Sequence, residues 1–328
     1  MASKLKGTIS KIQEKYGKEV YVEKRDNNYT VISTGSASID AATGVGGFPL
    51  GKVVELMAWE GTGKTTVALH VIAEAQKMGL RCALLDGEHS YDFDYARNLG
   101  VKKALDSEEE GENDLLIFNP ELVEDAANIT CDLAKTGEVQ VIVIDSMSSL
   151  STNKEREGDV GDSNMGVKAR LVGQFCRKIK GLVDREQVLV IIIGQLREKM
   201  TMYGDPNTTD YGNAVKFFAD IRIMLSKKLA KEGDVIVGNA VTAKFLKNKV
   251  GKPYQECEFQ ITFGMGIDSI GDIFIKAKEV LPKEIYAVRA GVVKYKEEKY
   301  QQEDFQQLVR DNDDFRKELM GYINEYSK

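Results

Sequence analysis

Histidine is scarce in this 328-residue chain, with only His70 and His89, which excludes a histidine-rich metal site. The four cysteines, Cys82, Cys131, Cys176 and Cys257, lie far apart, and no C-x-x-C pair occurs. That spacing argues for reduced thiols in a cytoplasm rather than a zinc or disulfide framework. No apolar run approaches the roughly 18 residues a membrane span needs. The start, Met1-Ala2-Ser3-Lys4, is polar and has no signal-peptide core, so a cytoplasmic protein is expected. An excess of positive charge is missing too. The net charge is −6, so any nucleic-acid surface must be local. What remains is ordinary globular composition, in a chain long enough for one large core and one or two small modules.

The most informative segment is Glu60-Gly61-Thr62-Gly63-Lys64-Thr65-Thr66. It follows the apolar run Val53–Met57 and opens the apolar-periodic run Val67–Ala75. Strand, glycine-rich loop and helix in that order make a phosphate-binding loop. Backbone N–H groups of the loop and the helix N-terminus point at an anion there. Lys64 is placed to neutralise the β/γ-phosphates, and the Thr65 hydroxyl to ligate Mg²⁺. The alternative is an ordinary glycine turn before a helix. Ala58 stands where the motif usually opens with glycine, which is acceptable only if φ there is negative.

Along the chain, Leu5–Tyr16 reads as a short amphipathic helix, with Leu5, Ile9 and Ile12 at helical spacing. Residues 1–30 form an N-terminal oligomerisation appendage in this reading. From Ile32 to Val250, apolar strands alternate with helical patterns. Expected strands are Val53–Met57, Cys82–Leu85, Leu115–Phe118, Val139–Ile144 and Val188–Ile193. Expected helices are Thr65–Lys77, Phe93–Leu99, Glu121–Lys135 and Val167–Val183. Strands apolar on both faces belong in a parallel sheet covered by helices, so the fold class is α/β. Ile221–Lys227, Ala240–Asn248 and Glu256–Phe263 read as antiparallel hairpins extending that sheet. The acidic stretch around 108–112 reads as an exposed loop. Residues 31–266 form the core. Residues 267–328 form a small α+β module with a hairpin at Ala290-Gly291 and a terminal helix Glu303–Tyr326.

Chemistry gathers at strand ends. The run Val141–Ile144 ends in Asp145-Ser146, putting a carboxylate beside the phosphate loop, where it supports Mg²⁺ or caps the next helix. Cys82–Leu85 leads into Asp86-Gly87-Glu88-His89, where Glu88 either activates water or is a plain loop carboxylate. Val188–Ile193 ends in Gly194-Gln195, an amide able to sense a γ-phosphate and report to the long segment Leu196–Asn213. Three basic clusters occur, including Lys168, Arg170 and Arg177, then Lys244, Lys247 and Lys249, then Lys294, Lys296 and Lys299. Each alone reads first as a solvated face.

Together these motifs resemble a RecA-family DNA recombinase of the bacterial and phage type. The resemblance rests on Ser33-Thr34-Gly35-Ser36, Asp40, Gly46-Gly47-Phe48-Pro49-Leu50-Gly51, Asp86-Gly87-Glu88-His89 and Tyr95–Val101. It continues through Glu157–Gly166, Gly204–Thr209, Gly212-Asn213-Ala214 and Lys247-Asn248-Lys249, covering roughly residues 8–265 in family order. It implies a RecA-like P-loop ATPase core with two DNA-binding loops, about 155–166 and 196–213. It also implies ATP and Mg²⁺ as cofactors, with Glu88 as the catalytic carboxylate and Gln195 coupling the γ-phosphate to the second loop. Tyr95 would stack on adenine with Asp92 near the base edge. Lys247 and Lys249 would reach ATP on the adjacent subunit, so the site completes only in a helical filament. Single-stranded DNA would be held by Gly166, Arg170, Arg177, Arg197, Lys199, Gly212 and Asn213, with Met165 and Met200 wedging between bases or packing within their loops. Homologous duplex DNA is the second substrate, and a single-strand-binding protein or loader is a further partner the family allows.

Several residues depart from the family pattern. Ala58-Trp59 replaces Gly-Pro, Gly194 replaces Asn, and Tyr211 replaces a Gly before Gly212. The acidic stretch at 108–112 is extra, and the family's acidic tail is missing. Ala58 and Gly194 keep open a nucleotide-binding recombination mediator with weak hydrolysis, and a DNA motor on the same core is the other alternative.

Overall fold

The computed structural model describes residues 2–17, 29–102, 114–159, 166–198 and 207–327. The contacts divide the chain into two units, Met1–Thr30 and Val31–Lys328. In the first, helix α1 spans Ala2–Tyr16, one turn longer at its start than its apolar spacing suggests. Leu5 and Ile12 on it are exposed.

The second unit opens with β1 (Val31–Ile32), α2 (Ala37–Thr43) and β2 (Phe48–Pro49), then β3 (Val53–Ala58) and α3 (Lys64–Lys77). Next come β4 (Cys82–Asp86), α4 (Phe93–Asn98), β5 (Leu116–Phe118), α5 (Val123–Thr136) and β6 (Val141–Asp145). A short α6 (Asn153–Glu157) and the long α7 (Val167–Glu186) precede β7 (Leu189–Gln195). The chain continues through β8 (Arg197–Glu198), β9 (Asn207–Thr208) and α8 (Ala214–Phe218) to β10 (Ile221–Glu232), β11 (Val235–Asn248), β12 (Glu256–Thr262) and β13 (Gly266–Ile267).

Nine of these strands make one sheet in the order β13-β12-β11-β10-β3-β7-β6-β4-β5. From β10 to β5 all neighbours are parallel. From β10 to β13 they are antiparallel hairpins, as the polar turns of the sequence predict. The parallel half is buried on both faces. Val54, Leu56, Val141, Val143, Leu189 and Ile191 pack with Val67, Leu69 and Ile72 of α3 on one side. Val53, Ile142, Ile144, Val190 and Ile192 pack with Val123 of α5 and Phe175 and Ile179 of α7 on the other. Alternate residues of one continuous apolar run thus feed two different cores, which explains why these strands show no polar face.

The remaining elements are α9 (Ser269–Val280), the sheet β14 (Tyr286–Arg289), β15 (Val292–Tyr295) and β16 (Glu298–Gln301), then α10 (Gln302–Asp311) and α11 (Asp313–Tyr326). Their apolar cluster, with Tyr286, Phe305 and Leu319, also takes in Ala37 and Ala41 of α2. Asp272 of α9 ties the same helix down: it accepts from Ser36 Oγ at 2.6 Å and from Ser38 N at 3.0 Å, and also from Ser38 Oγ. The single terminal helix expected from Glu303 to Tyr326 is in fact two. Asn312 is extended, and its side chain accepts from Phe315 N at 3.0 Å. That local cap competes with continuing the helix, and the break lets Phe305 and Val309 share a core with Leu319 and Ile323.

Candidate functional site

The parallel strands β3, β7, β6 and β4 end side by side in Ala58, Gln195, Asp145 and Asp86. In an open α/β sheet, ligands bind at such carboxyl ends. Here a cleft of about 310 Å³ lies over that edge. It brings together Glu60, Gly61, Gly63, Lys64, Thr65, Thr66, Glu88, Tyr95, Asp145 and Gln195, all singled out from sequence. Thr62 is buried beneath it, its hydroxyl donating to Trp59 O at 2.8 Å.

Alanine fits at position 58 because it is the last residue of β3, paired on both sides, and the left-handed turns fall later, at Gly61 and Gly63. Gly63 has φ 107°, a conformation that favours glycine, and a Cβ there would also have to displace the end of the Ile261 side chain, 2.3 Å away. The loop is gripped from the antiparallel half of the sheet. Lys227 Nζ and Asn239 Nδ2 donate to Gly61 O at 2.8 and 3.2 Å.

Lys64 is buried, with Nζ donating to Ala58 O at 3.2 Å and Trp59 O at 3.1 Å. Burial lowers its pKa, while Asp145 and Glu88 pull it back up. The Thr65 hydroxyl donates to Asp145 Oδ2 at 2.6 Å. Burial pushes the Asp145 carboxyl up to about 6, the Thr65 hydrogen bond opposing and Glu88 adding to the rise. Of the three carboxylates at the strand ends, Asp86 and Asp145 are buried and Glu88 is exposed. Asp86 is occupied structurally, accepting from the backbone N–H of Glu88 and Tyr91. Glu88 Oε1 accepts from Ser146 Oγ at 2.6 Å and from Gln195 Nε2 at 3.0 Å. Gln195 N in turn donates to Ser148 Oγ at 3.0 Å.

Tyr95 lines the cleft, its hydroxyl 2.8 Å from Thr66 Oγ1. Asp92 does not line it; its carboxylate caps α4 by accepting from Tyr95 N at 2.9 Å. Lys247 and Lys249 also lie away from the cleft of their own protomer. Lys247 Nζ donates to Lys216 O and Phe217 O at the end of α8, and Lys249 Nζ is 3.7 Å from Asp220. Partial burial, with Lys249 nearby, lowers the Lys247 pKa to about 8.

Gly166 caps the start of α7 with φ 82°, and Arg170 and Arg177 stand exposed two turns apart on that helix. Arg197 is exposed on β8, paired with Thr208 of β9. Gly212 (φ 76°) packs on Ala169, and Asn213 precedes α8. Lys168 of α7, just past the first expected loop, donates through Nζ to Ser148 O at 2.7 Å and to Asp210 Oδ2 of the second at 3.0 Å. Met165, Lys199, Met200 and the acidic stretch 108–112 lie outside the described residues.

Sequence reasoning missed Ser146, Ser148, Lys227, Asn239, Ile261, Phe263 and Gly264. Ser146 is legible in hindsight, being next to Asp145 on the same strand end. Ser148 follows in the turn after that strand, whereas the others come from β10, β11, β12 and the turn after it and carry no local signal.

Comparison with known proteins agrees with this geometry. The family described as the RecA N-terminal domain matches residues 3–268. Protein RecA of Citrifermentans bemidjiense is 43% identical over 277 residues, covering 83% of this chain and 79% of the relative. Protein RecA of Psychrobacter cryohalolentis is 40% identical over 285 residues, covering 85% and 78%. Protein RecA of Bacillus mycoides is 37% identical over 325 residues, covering 97% and 91%, so the similarity extends through the terminal elements as well. A family match across four-fifths of the chain, over a phosphate loop set at the carboxyl edge of a parallel sheet, leaves one assignment: the chain belongs to the RecA family.

Proposed function

We propose that this chain is an ATP-dependent DNA recombinase that forms helical filaments on single-stranded DNA and catalyses homologous pairing and strand exchange. The observation that carries this reading is the hydrogen bond from Gln195 to Glu88. One amide touches the exposed carboxylate best placed to act on water, and the chain runs on from it directly to Arg197. Nucleotide chemistry and nucleic-acid binding thereby share a strand end.

In this reading the backbone of Glu60–Gly63 and the start of α3 cradle the phosphates, and Lys64 exchanges its loop carbonyls for β/γ-oxygens. Tyr95, with Thr66 at its hydroxyl, forms the base side of the site, and Asp92 supports it by capping the helix that carries Tyr95. Thr65 and Asp145 would hold Mg²⁺, which when bound neutralises charge on the phosphate oxygens. The donor set fits that ion. Among the described residues no three acidic, histidine or cysteine side chains converge to hold a metal unaided. Mg²⁺ is usually held by one or two carboxylates together with the nucleotide's own oxygens. Glu88 accepts the proton of the attacking water, and Gln195 registers the γ-phosphate. Lys247 and Lys249 act on the nucleotide of the next subunit, which links turnover to a head-to-tail, non-closing assembly. Residues 1–30 serve that assembly, and residues 267–328 are an accessory module. Arg170, Arg177, Arg197 and Lys199, with the backbone about Gly166, Gly212 and Asn213, hold single-stranded DNA through its phosphates, without reading sequence, and Met165 and Met200 wedge between its bases. Base pairing with the homologous duplex makes the sequence choice.

A hydrolysis-deficient mediator is disfavoured because Lys64, Thr65, Glu88 and Asp145 all meet in one cleft. The test is strand exchange between homologous DNAs with ATP, comparing wild type with Lys64→Ala. Exchange by the wild type and its loss in the variant are expected. A wild type that binds nucleotide yet exchanges no strands would overturn the proposal.

A further inference from the structure

Two of the departures from the family pattern, at positions 194 and 211, touch each other. Tyr211 is fully buried, and its ring lies on the backbone of Gly194: a Cβ built there would be 2.0 Å from Tyr211 Oη and 2.8 Å from Cζ. Gly194 sits within β7 and pairs with Met57 of β3, at a backbone angle open to any residue. Glycine there is therefore explained by the ring and not by the turn of the chain.

The tyrosine hydroxyl finds its partner one strand further over. It donates to Glu55 Oε1 at 2.8 Å, and Arg222 of β10 pairs with the other oxygen of the same buried carboxylate. Glu55 lies three residues before the end of β3, from which the phosphate loop departs. Gly194 directly precedes Gln195. On the other side, Tyr211 is flanked by Asp210, which pairs with Lys168 of α7, and by Gly212, which packs on Ala169. Asn213 and α8 follow at once. One buried ring thus joins the strand carrying Gln195, the strand carrying the phosphate loop, and the returning end of the second loop. Burial, with Glu55 nearby, raises the Tyr211 pKa well above its ordinary value, so the hydroxyl stays a donor.

We infer that Tyr211 and Gly194 form a size-matched lock that makes Tyr211 a positioning residue, holding the base of the second loop against β7 so that the state of the nucleotide at Gln195 reaches bound single-stranded DNA. This rests on the recombinase reading above. Tyr211 has no exposure and touches neither ligand; it acts through Gln195 and through Gly212-Asn213.

The experiment uses the full chain and measures two quantities for each variant. One is ATP hydrolysis with and without oligo(dT). The other is the ratio of oligo(dT) affinities with and without a slowly hydrolysed ATP analogue. Tyr211→Phe keeps the ring and removes the bond to Glu55. Gly194→Asn drives a side chain into the ring, and Gly194→Asn with Tyr211→Gly vacates that space again. Tyr211→Phe and Gly194→Asn are expected to keep DNA-free hydrolysis within about 2-fold of wild type. Both should lower the affinity ratio and the DNA stimulation by on the order of 10-fold, within the usual span of coupling between sites. The double variant should recover most of the loss. Equal loss of DNA-free and DNA-stimulated hydrolysis would overturn the inference, because it would mark a merely structural role. Unchanged ratios in both single variants, against a high wild-type ratio, would overturn it while leaving the recombinase reading standing. A wild-type ratio of one would overturn the recombinase reading itself, and the lock with it.

Discussion

Replacing Glu88 by glutamine isolates the chemical step from binding. The substitution conserves volume and leaves one carbonyl oxygen, which can still accept from Ser146 Oγ and Gln195 Nε2 as Oε1 does at 2.6 and 3.0 Å. What disappears is the basicity of the only exposed carboxylate among Asp86, Glu88 and Asp145. A positioned general base contributes about 10²- to 10⁴-fold, or about 3–5.5 kcal/mol of barrier at 1.36 kcal/mol per decade. Neither buried neighbour can substitute. Asp86 is held by two backbone N–H groups and Asp145 by Thr65. Single-turnover hydrolysis on single-stranded DNA should therefore fall by about 10²- to 10⁴-fold. Nucleotide affinity should hold or tighten, since a negative charge leaves the neighbourhood of the phosphates. ATP-bound filaments should persist correspondingly longer, which light scattering can follow. Ser146→Ala, which removes one of the two hydrogen bonds orienting Glu88, should cost only about 10-fold, in proportion to one such bond. Turnover by Glu88→Gln within 10-fold of wild type would refute the assignment. So would a loss of nucleotide affinity that matches the loss of rate.

Three further outcomes are expected. Replacing Arg170 and Arg177 together by alanine should weaken binding uniformly across sequences and reduce the salt slope of oligo(dT) binding by about 1.4, at about 0.7 per lost phosphate contact; an unchanged slope would remove both from the interface. Asp272→Ala strands the donors of Ser36 and Ser38 against α2. Three donors lose their acceptor, and at the low end of about 1–3 kcal/mol per unmet donor urea unfolding should report a loss of about 3 kcal/mol. His70 is buried, its Nε2 accepting from Ile267 N at 2.9 Å, and burial lowers its pKa from 6.5 to about 4. The unfolded chain thus binds the proton first, so this contribution is present above pH 6.5 and lost as pH falls towards 4. Asp40, raised by burial to about 7, works the other way, losing stability as pH rises from about 4 to 7. The difference in unfolding free energy between wild type and His70→Gln cancels that shared term, and should shift by about 2–3 kcal/mol between pH 7 and pH 4.5.

The parts of the site that are legible in sequence are those set by neighbours along the chain. Gly61, Gly63, Lys64 and Thr65 follow one strand and open one helix, so spacing alone gives their common purpose. Asp145 and Gln195 end apolar runs, and a parallel sheet aligns such ends because all its strands run the same way. The alternation of Val53 and Val54, or Ile142 and Val143, between two cores likewise follows from the period of a strand. Tertiary structure decided what depends on strand order. That order sets β10 and β7 on either side of β3. Lys227 and Asn239 can hold Gly61 only because the antiparallel half of the sheet continues from β10 beside the loop. Tyr211 can fill the space over Gly194 and reach Glu55 only because β7 and β3 are neighbours. Asn312 breaks the terminal helix because a shared core rewards the turn, and the helical spacing on either side of it carries no sign of that core. Local pattern thus determined which chemistry this chain carries, whereas packing between distant segments decided how its parts are held together, since contacts across a sheet carry no fixed sequence separation.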